Sequence, residues 1–298
     1  MPKMQKFLII TADDFGLHHA VNDAVERASC AGVLTTASLM VGAPAAEDAI
    51  RRARKLPQLR VGLHLVLTDG RAMLAPDLIP ALADAAGRMN NFMFTDAVRF
   101  ALNPSVRRQL EAEIRAQFVE FARSGLALDH VNAHRHFHLH PVVLEMLLRI
   151  GKEFGVCAVR APDEPLWFAA QGGAWLSGVG AALLTPWIRL MKRRLRRARV
   201  SYNDHIFGVA ASGAMDEARM LEIVKRLPAG VTEIYLHPAV QSGKIIAASM
   251  GQYRHADELA ALLSPRVRSA IDSAGVSRGG FGDLLRICSQ TQSGESIP

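Results

Sequence analysis

Cysteine is nearly missing from this sequence. Its 298 residues hold three, Cys30, Cys157 and Cys288, scattered and without a C-x-x-C spacing. Neither a disulfide framework nor a thiolate zinc knuckle is available, and a reducing compartment fits best. No G-x-G-x-x-G follows the first apolar run, so the dinucleotide-binding fingerprint is missing too. A secretory core is also lacking, because Met1 to Lys6 leads into only six apolar or small residues before Asp13. The expectation is a mature chain that starts at its first residue and works in the cytoplasm.

What is present describes a soluble globular protein: 50% apolar and 21% charged residues exclude disorder and fibre and allow a large core. The length admits either two domains or one β/α barrel with insertions. Net charge is +7, but seven cations lie between Arg189 and Arg199 with no acid among them. The remaining chain balances at 28 basic and 28 acidic side chains. A neutral protein thus carries one basic segment, and without a basic stripe interleaved with stacking aromatics elsewhere, nucleic acid is not an expected partner.

Apolar runs at 7–11, 35–41, 60–67, 126–132, 156–160 and 233–237 read as buried parallel strands. Between them, 21–31, 45–55, 106–123, 142–154 and 215–226 space their apolar residues helically, with Gly32, Gly125 and Gly155 just past helix ends. Polar residues fall at the C-terminal ends of several strands: Asp13 and Asp14, His64, the histidines after Asp129, Arg160 and His237. That distribution suits a barrel mouth better than the single switch point of an open sheet. The fold class is therefore α/β, a distorted TIM-like (β/α) barrel. We expect one domain over residues 1–288 with an insertion at about 165–200, and a disordered tail at 289–298.

Five of eleven histidines crowd into DHVNAHRHFHLHP: His130, His134, His136, His138 and His140. All sit at even positions, so an extended backbone would project them from one face with Asn132. Some of them are equally well explained as hydrogen-bonded core histidines. Asp13 and Asp14 are adjacent carboxylates that repel each other unless a cation or a hydrogen-bonding shell holds them ionised. The plainer alternative is a cap on the helix beginning near His18. His64 inside the apolar run VGLHLVL has few uses besides a buried hydrogen bond or metal ligation. One Asp and two His with an open position is the donor set of a catalytic divalent site, Mg2+ or Zn2+ among the candidates.

Together TADDFG, GLHLVLT, the H-x-N-x-H-x-H-x-H-x-H-P string, VRAPDE, NDHIFG and TEIYLHP span residues 11 to 238. As a set they resemble the YdjC/ChbG carbohydrate deacetylase family, most closely its hopanoid biosynthesis-associated HpnK branch. The resemblance implies a distorted barrel with one divalent metal that hydrolyses the acetyl group from an N-acetylated amino sugar, here the N-acetylglucosaminyl head group of a hopanoid lipid. Soluble chito-oligosaccharides are the alternative substrate, and a non-enzymatic divalent-metal-binding protein is the alternative class. By position, Asp14, His64 and His134 become metal ligands, Asp13 the general base and His237 the general acid. Arg160 and Glu164 either orient the base, grip sugar hydroxyls or form structural salt bridges, and Asp204 and His205 line the sugar site. The family usually shows Asp where Asn132 stands, so Asn132 stays outside the ligand set. Amide hydrolysis needs an activated water, an oxyanion stabiliser and an acid for the departing amine, and these residues can supply all three.

The insertion has its own pattern. Pro165 to Ile188 is 24 residues without a charge and holds all three tryptophans, Trp167, Trp175 and Trp187, before the basic run begins. Four glycines, Gln171 and Pro186 lower its hydrophobicity and break its helix, so a membrane span is not expected. A lid, a homodimer contact, or an interfacial segment at 165–199 peripheral to the inner membrane surface are the three readings.

Overall fold

The computed structural model describes residues 6–170, 179–241 and 246–284. The first strand, β1 (Lys6–Phe15), is buried along its whole length after Lys6. It is followed by α1 (His19–Ala31), β2 (Thr36–Leu39), α2 (Ala46–Ala53) and β3 (Arg60–Leu65). Two helices, α3 (Met93–Leu102) and α4 (Pro104–Arg123), then lead to β4 (Leu128–Ala133) and α5 (Pro141–Glu153). The insertion supplies α6 (Leu166–Ala169) and α7 (Val179–Arg197). The chain continues with β5 (His205–Phe207), α8 (Glu217–Lys225), β6 (Gly230–Leu236), α9 (His255–Leu263), α10 (Pro265–Ser273) and β7 (Ser277–Arg278).

All paired strands are parallel, in the order β4-β3-β2-β1-β6-β5, with β7 joined to Phe7 and Leu8 of β1. Fully buried strands read as continuous apolar runs, which is why the sequence signal for them is strong. The barrel is distorted where β4 should meet β5. There the run 156–160, expected as a full strand, makes only single bridges, Val131 with Val159 and Ala158 with Ser201. Asn203 completes the seam with its side chain, accepting from the Ala161 N–H at 2.8 Å and donating to the Ala161 carbonyl at 2.7 Å. An amide side chain thus stands in for a missing rung of the ladder. The short β5 lies outside the expected strands, since three residues are too few for a visible period.

The helical expectations agree with α1, α2, α4, α5 and α8 to within a few residues. Gly125 and Gly155 take φ values of 68° and 73°, the left-handed turn that ends α4 and α5. Pro186 does not end α7, contrary to expectation. Tertiary contacts outweigh the lost hydrogen bond: Ile188, Met191 and Leu195 are buried, and the Trp187 indole N–H donates to the Leu139 carbonyl at 2.6 Å. Trp175 and the tail 289–298 lie outside the described residues.

Candidate active site and metal centre

The two adjacent aspartates of β1 face one cavity because the strand is irregular there. In a regular strand neighbouring side chains point to opposite faces. Here the pairing with β2 slips between Ala12 and Phe15, and Asp14 takes φ 61°, a left-handed conformation rare for a residue with a Cβ. Such bulges re-aim side chains beside functional sites. The α1 cap is His18, whose Nδ1 accepts from the Ala20 N–H, so neither aspartate serves that end.

Asp14, His64 at the end of β3 and His134 just beyond β4 each offer a ligand atom, all within 4.8 Å of one another. The Asp14 Oδ1 lies 3.3 Å from His64 Nε2 and 3.2 Å from His134 Nδ1. His237 Nε2, beyond β6, is 3.9 Å from the other Asp14 oxygen. Neither oxygen of Asp14 nor His64 Nε2 has a hydrogen-bond partner, although all three are buried.

Asn132 shows why His64 Nε2 is bare. Its amide nitrogen must donate to the Asp13 carboxylate (3.1 Å) and also reaches Ser38 Oγ (2.9 Å), which turns its oxygen toward His64 Nδ1 at 2.7 Å. That nitrogen therefore donates, and Nε2 is left 3.3 Å from the Asp14 carboxylate without a hydrogen-bond partner. A buried carboxylate without hydrogen-bond partners, beside two imidazoles, is a donor set that fits a divalent cation. Burial opposes charge on Asp14, yet His134 chiefly holds it well below the usual carboxylate range. Against the same burial, Asp14 and Asp69 raise His134 to about 9.

Asp13 is clamped by Arg160, which is itself completely buried. The guanidinium reaches both Asp13 oxygens and both Glu233 oxygens, at 2.5 to 3.0 Å. Burial would raise the Asp13 carboxyl, but Arg160, with His64 and His237, overrides it and holds the group far below its ordinary value. Of the roles expected for Arg160, the geometry favours orienting Asp13 over gripping sugar hydroxyls. Glu233, central in the apolar β6, was missed in the sequence; a buried acid within a strand was its signal.

The histidine string does not share one face. Beyond Ala133 it forms a 3-10 turn with Arg135 and His136 at φ 53° and 55°, which scatters the imidazoles. His130 is buried within β4, 3.1 Å from Ser38 Oγ and 3.0 Å from Asp129. His136 meets the Tyr235 hydroxyl at 3.1 Å. His138 is 2.9 Å from the Arg160 carbonyl, and burial pushes its pKa down to about 3. His140 packs edge-on against Phe100. Only His134 joins the metal cluster.

Three expected sugar-binding residues serve the frame. Glu164 accepts backbone N–H groups of Gly208, Val209 and Ala210 at 2.8 to 2.9 Å, anchoring the loop that carries Val209 and Ser212 to the cavity. Asp204 accepts from the Val231 N–H at 2.9 Å, and His205 pairs in register with Thr232. Both sit toward the N-terminal ends of β5 and β6, away from Asp13 and Asp14. Residues on the cavity wall that the sequence did not single out include Tyr235, Tyr253, Ser249 and Arg135. Arg135 in turn holds Asp69 at 2.6 Å, beside His134.

The cavity over this cluster has a volume of about 620 Å³. Its floor holds Asp13, His64, His134 and His237, and its outer wall holds Met93, Ala97, Leu139, Pro162, Leu184 and Trp187. A concave, mostly apolar pocket with a few convergent polar groups is the usual form of a small-molecule site.

An enclosed acid–histidine cluster at the C-terminal mouth of a distorted parallel barrel defines the class, and the sequence comparison agrees: residues 7–273 match the YdjC-like protein family. The chain belongs to that family. A carbohydrate deacetylase of Brevibacillus brevis is 29% identical over 280 residues, covering 93% of this chain and 99% of the relative. A chitooligosaccharide deacetylase of Klebsiella pneumoniae is 25% identical over 282 residues, covering 94% and 100%. A crystal structure of an Enterococcus faecalis V583 protein named for cellobiose-phosphate cleavage superposes with a TM-score of 0.71 at 22% identity, covering 94% of this chain and 99% of that one. That last likeness speaks for the fold.

Proposed function

We propose that this protein is a metal-dependent hydrolase that removes the acetyl group from an N-acetylated amino sugar. The observation that carries the reading is the buried Asp14, His64 and His134 cluster beneath a cavity of sugar size, in a chain whose full-length relatives are carbohydrate deacetylases.

Asp14, His64 and His134 would hold the ion. Asp13, presented beside them, is ionised at neutral pH through Arg160 and takes the proton of the attacking water. A carboxylate held so far down is a weak base toward ordinary water. A divalent cation, when bound, supplies the acidification of water and the polarisation of the acetyl carbonyl that this base needs. As the new C–O bond forms and the amide C–N bond breaks, the departing nitrogen must gain a proton. That delivery falls to His237 on the cavity floor, its backbone held by Glu258 at the N–H and His255 at the carbonyl. Acetate and the free amino sugar leave.

For the substrate we propose an N-acetylglucosaminyl group on a hopanoid lipid, in a cytoplasmic protein that reaches its substrate from the membrane surface. The apolar outer wall of Met93, Leu184 and Trp187 supports a lipid aglycone, since a sugar alone would meet more polar partners there. The Klebsiella relative supports the second reading, a soluble chito-oligosaccharide. Acetate release from matched N-acetylglucosaminyl substrates with and without a lipid aglycone separates them. A preference for the lipid form supports the first reading, and release from the short sugar alone supports the second.

A further inference from the structure

Two helices flanking the cavity wear apolar stripes on their solvent side. In α3, Phe94, Val98 and Leu102 follow one another at four-residue steps and are 84%, 44% and 77% exposed. A globular protein ordinarily turns such a stripe toward its core. Here the opposite face does the packing: Phe100 is buried edge-on against Phe137 and His140. On α7 the buried face is Ile188, Met191 and Leu195, and Leu190 is left partly open beside the cavity-wall residues Leu184 and Trp187. Both helices grip the same segment after β4, α3 through Phe100 and α7 through the Trp187 bond to Leu139. Met93 and Ala97 of α3 and Leu184 and Trp187 of α7 also line the cavity, so both helices border its mouth.

We propose that α3 and α7 form a docking rim that seats the cavity mouth on an anionic bilayer. Charge selects the occupant. Arg189, Arg193, Arg197 and Arg199 are exposed along and just beyond α7 with no acid between them, and Arg108 is exposed beyond α3. Cations beside an apolar stripe match a surface of anionic lipid headgroups over acyl chains. A second copy of this chain on the same face would bring two such cation runs together, which repel. No described helix is long and apolar enough to cross a membrane, so the contact is interfacial. The α3 stripe lies outside the insertion whose composition first suggested a surface contact, on a second helix that lines the same cavity. The inference adds a partner to the pocket proposed above, and vesicle binding is read without substrate, so either reading can fail alone.

The test is flotation of the full-length protein with phosphatidylglycerol-containing vesicles and with phosphatidylcholine vesicles, at low and high salt. Wild-type protein floats with the anionic vesicles, less at high salt because the headgroup attraction is screened. The triple variant Phe94→Ser, Val98→Ser, Leu102→Ser loses about tenfold or more of vesicle partitioning at either salt, since its loss is of apolar burial. Arg193→Gln with Arg197→Gln loses binding chiefly at low salt. Both variants keep the wild-type melting temperature and acetate release from a short soluble sugar. Wild-type protein that ignores anionic vesicles at low salt overturns the proposal, as does a triple variant that floats like wild type. A wild-type dimer that the triple variant splits, with no vesicle binding, overturns it in favour of a second copy.

Discussion

The floor and the rim of the cavity are built on opposite rules. On the floor nearly every polar atom is matched: Arg160 by Asp13 and Glu233, and Asn132 by Asp13, Ser38 and His64. The exceptions are the Asp14 oxygens, His64 Nε2 and His237 Nδ1, and of these Asp14 and His64 lie with His134 in one cluster of ligand atoms. At the rim it is the apolar atoms that lack partners, on Phe94, Val98 and Leu102. Unmatched groups gathered in one place mark where something else can bind. Their chemistry distinguishes a cation from an apolar ligand.

The largest effects are expected where that contrast is broken on the floor. Asp14→Ala or His64→Ala removes one of three donors and should strip the protein of divalent metal by elemental analysis, with acetate release falling to background. Asp13→Asn keeps the metal but removes the base, and single-turnover acetate release should drop by about 10²-fold or more. Metal loss in Asp13→Asn would move Asp13 into the ligand set. His237→Ala should cost an amide substrate about 10²-fold and an activated ester far less, because only the amine leaving group needs the proton. Equal losses on both would make His237 a binding residue.

A milder effect concerns stability. Burial pushes His138 to about 3, whereas an imidazole in the unfolded chain titrates near about 6.5. The unfolded state therefore binds the extra proton between these values, and stability falls as pH drops through that window. His138→Gln retains a donor for the Arg160 carbonyl and removes the titration, so its melting temperature should decline less steeply with acid than that of wild type. The smallest effect is expected at the opposite end of the barrel. Asp204→Ala removes one hydrogen bond to Val231, about 1 kcal/mol of stability. Its kcat/KM should match wild type, and a raised KM would return Asp204 to the sugar site.

The sequence made the strands legible because buried parallel strands are long apolar runs, and it made the chemistry legible where a polar residue interrupts one, as His64 does in VGLHLVL. It was blind where side chains replace backbone. Asn203 closes the seam between β4 and β5, and no period announces that. The histidine string misled for a local reason, since the left-handed residues Arg135 and His136 end the alternation that an extended strand would keep. Asp204 and Glu164 carried the chemistry of a binding site but cap backbone N–H groups, a use that depends on partners distant in sequence. Phe94, Val98 and Leu102 have the spacing of a core stripe, and only the packing of Phe100 reveals that they face outward.

The central claim is that the unmatched donors on the floor hold a divalent cation that this chain uses to deacetylate a sugar. Acetate release from an N-acetylglucosaminyl substrate, followed before chelation, after chelator removal of metal, and after return of Mg2+ or Zn2+, tests it most directly. Release that stops on chelation and returns with one of these ions is the predicted result. Acetate release that is indifferent to chelation, or metal-loaded protein that liberates none from any N-acetylated sugar, would contradict the account.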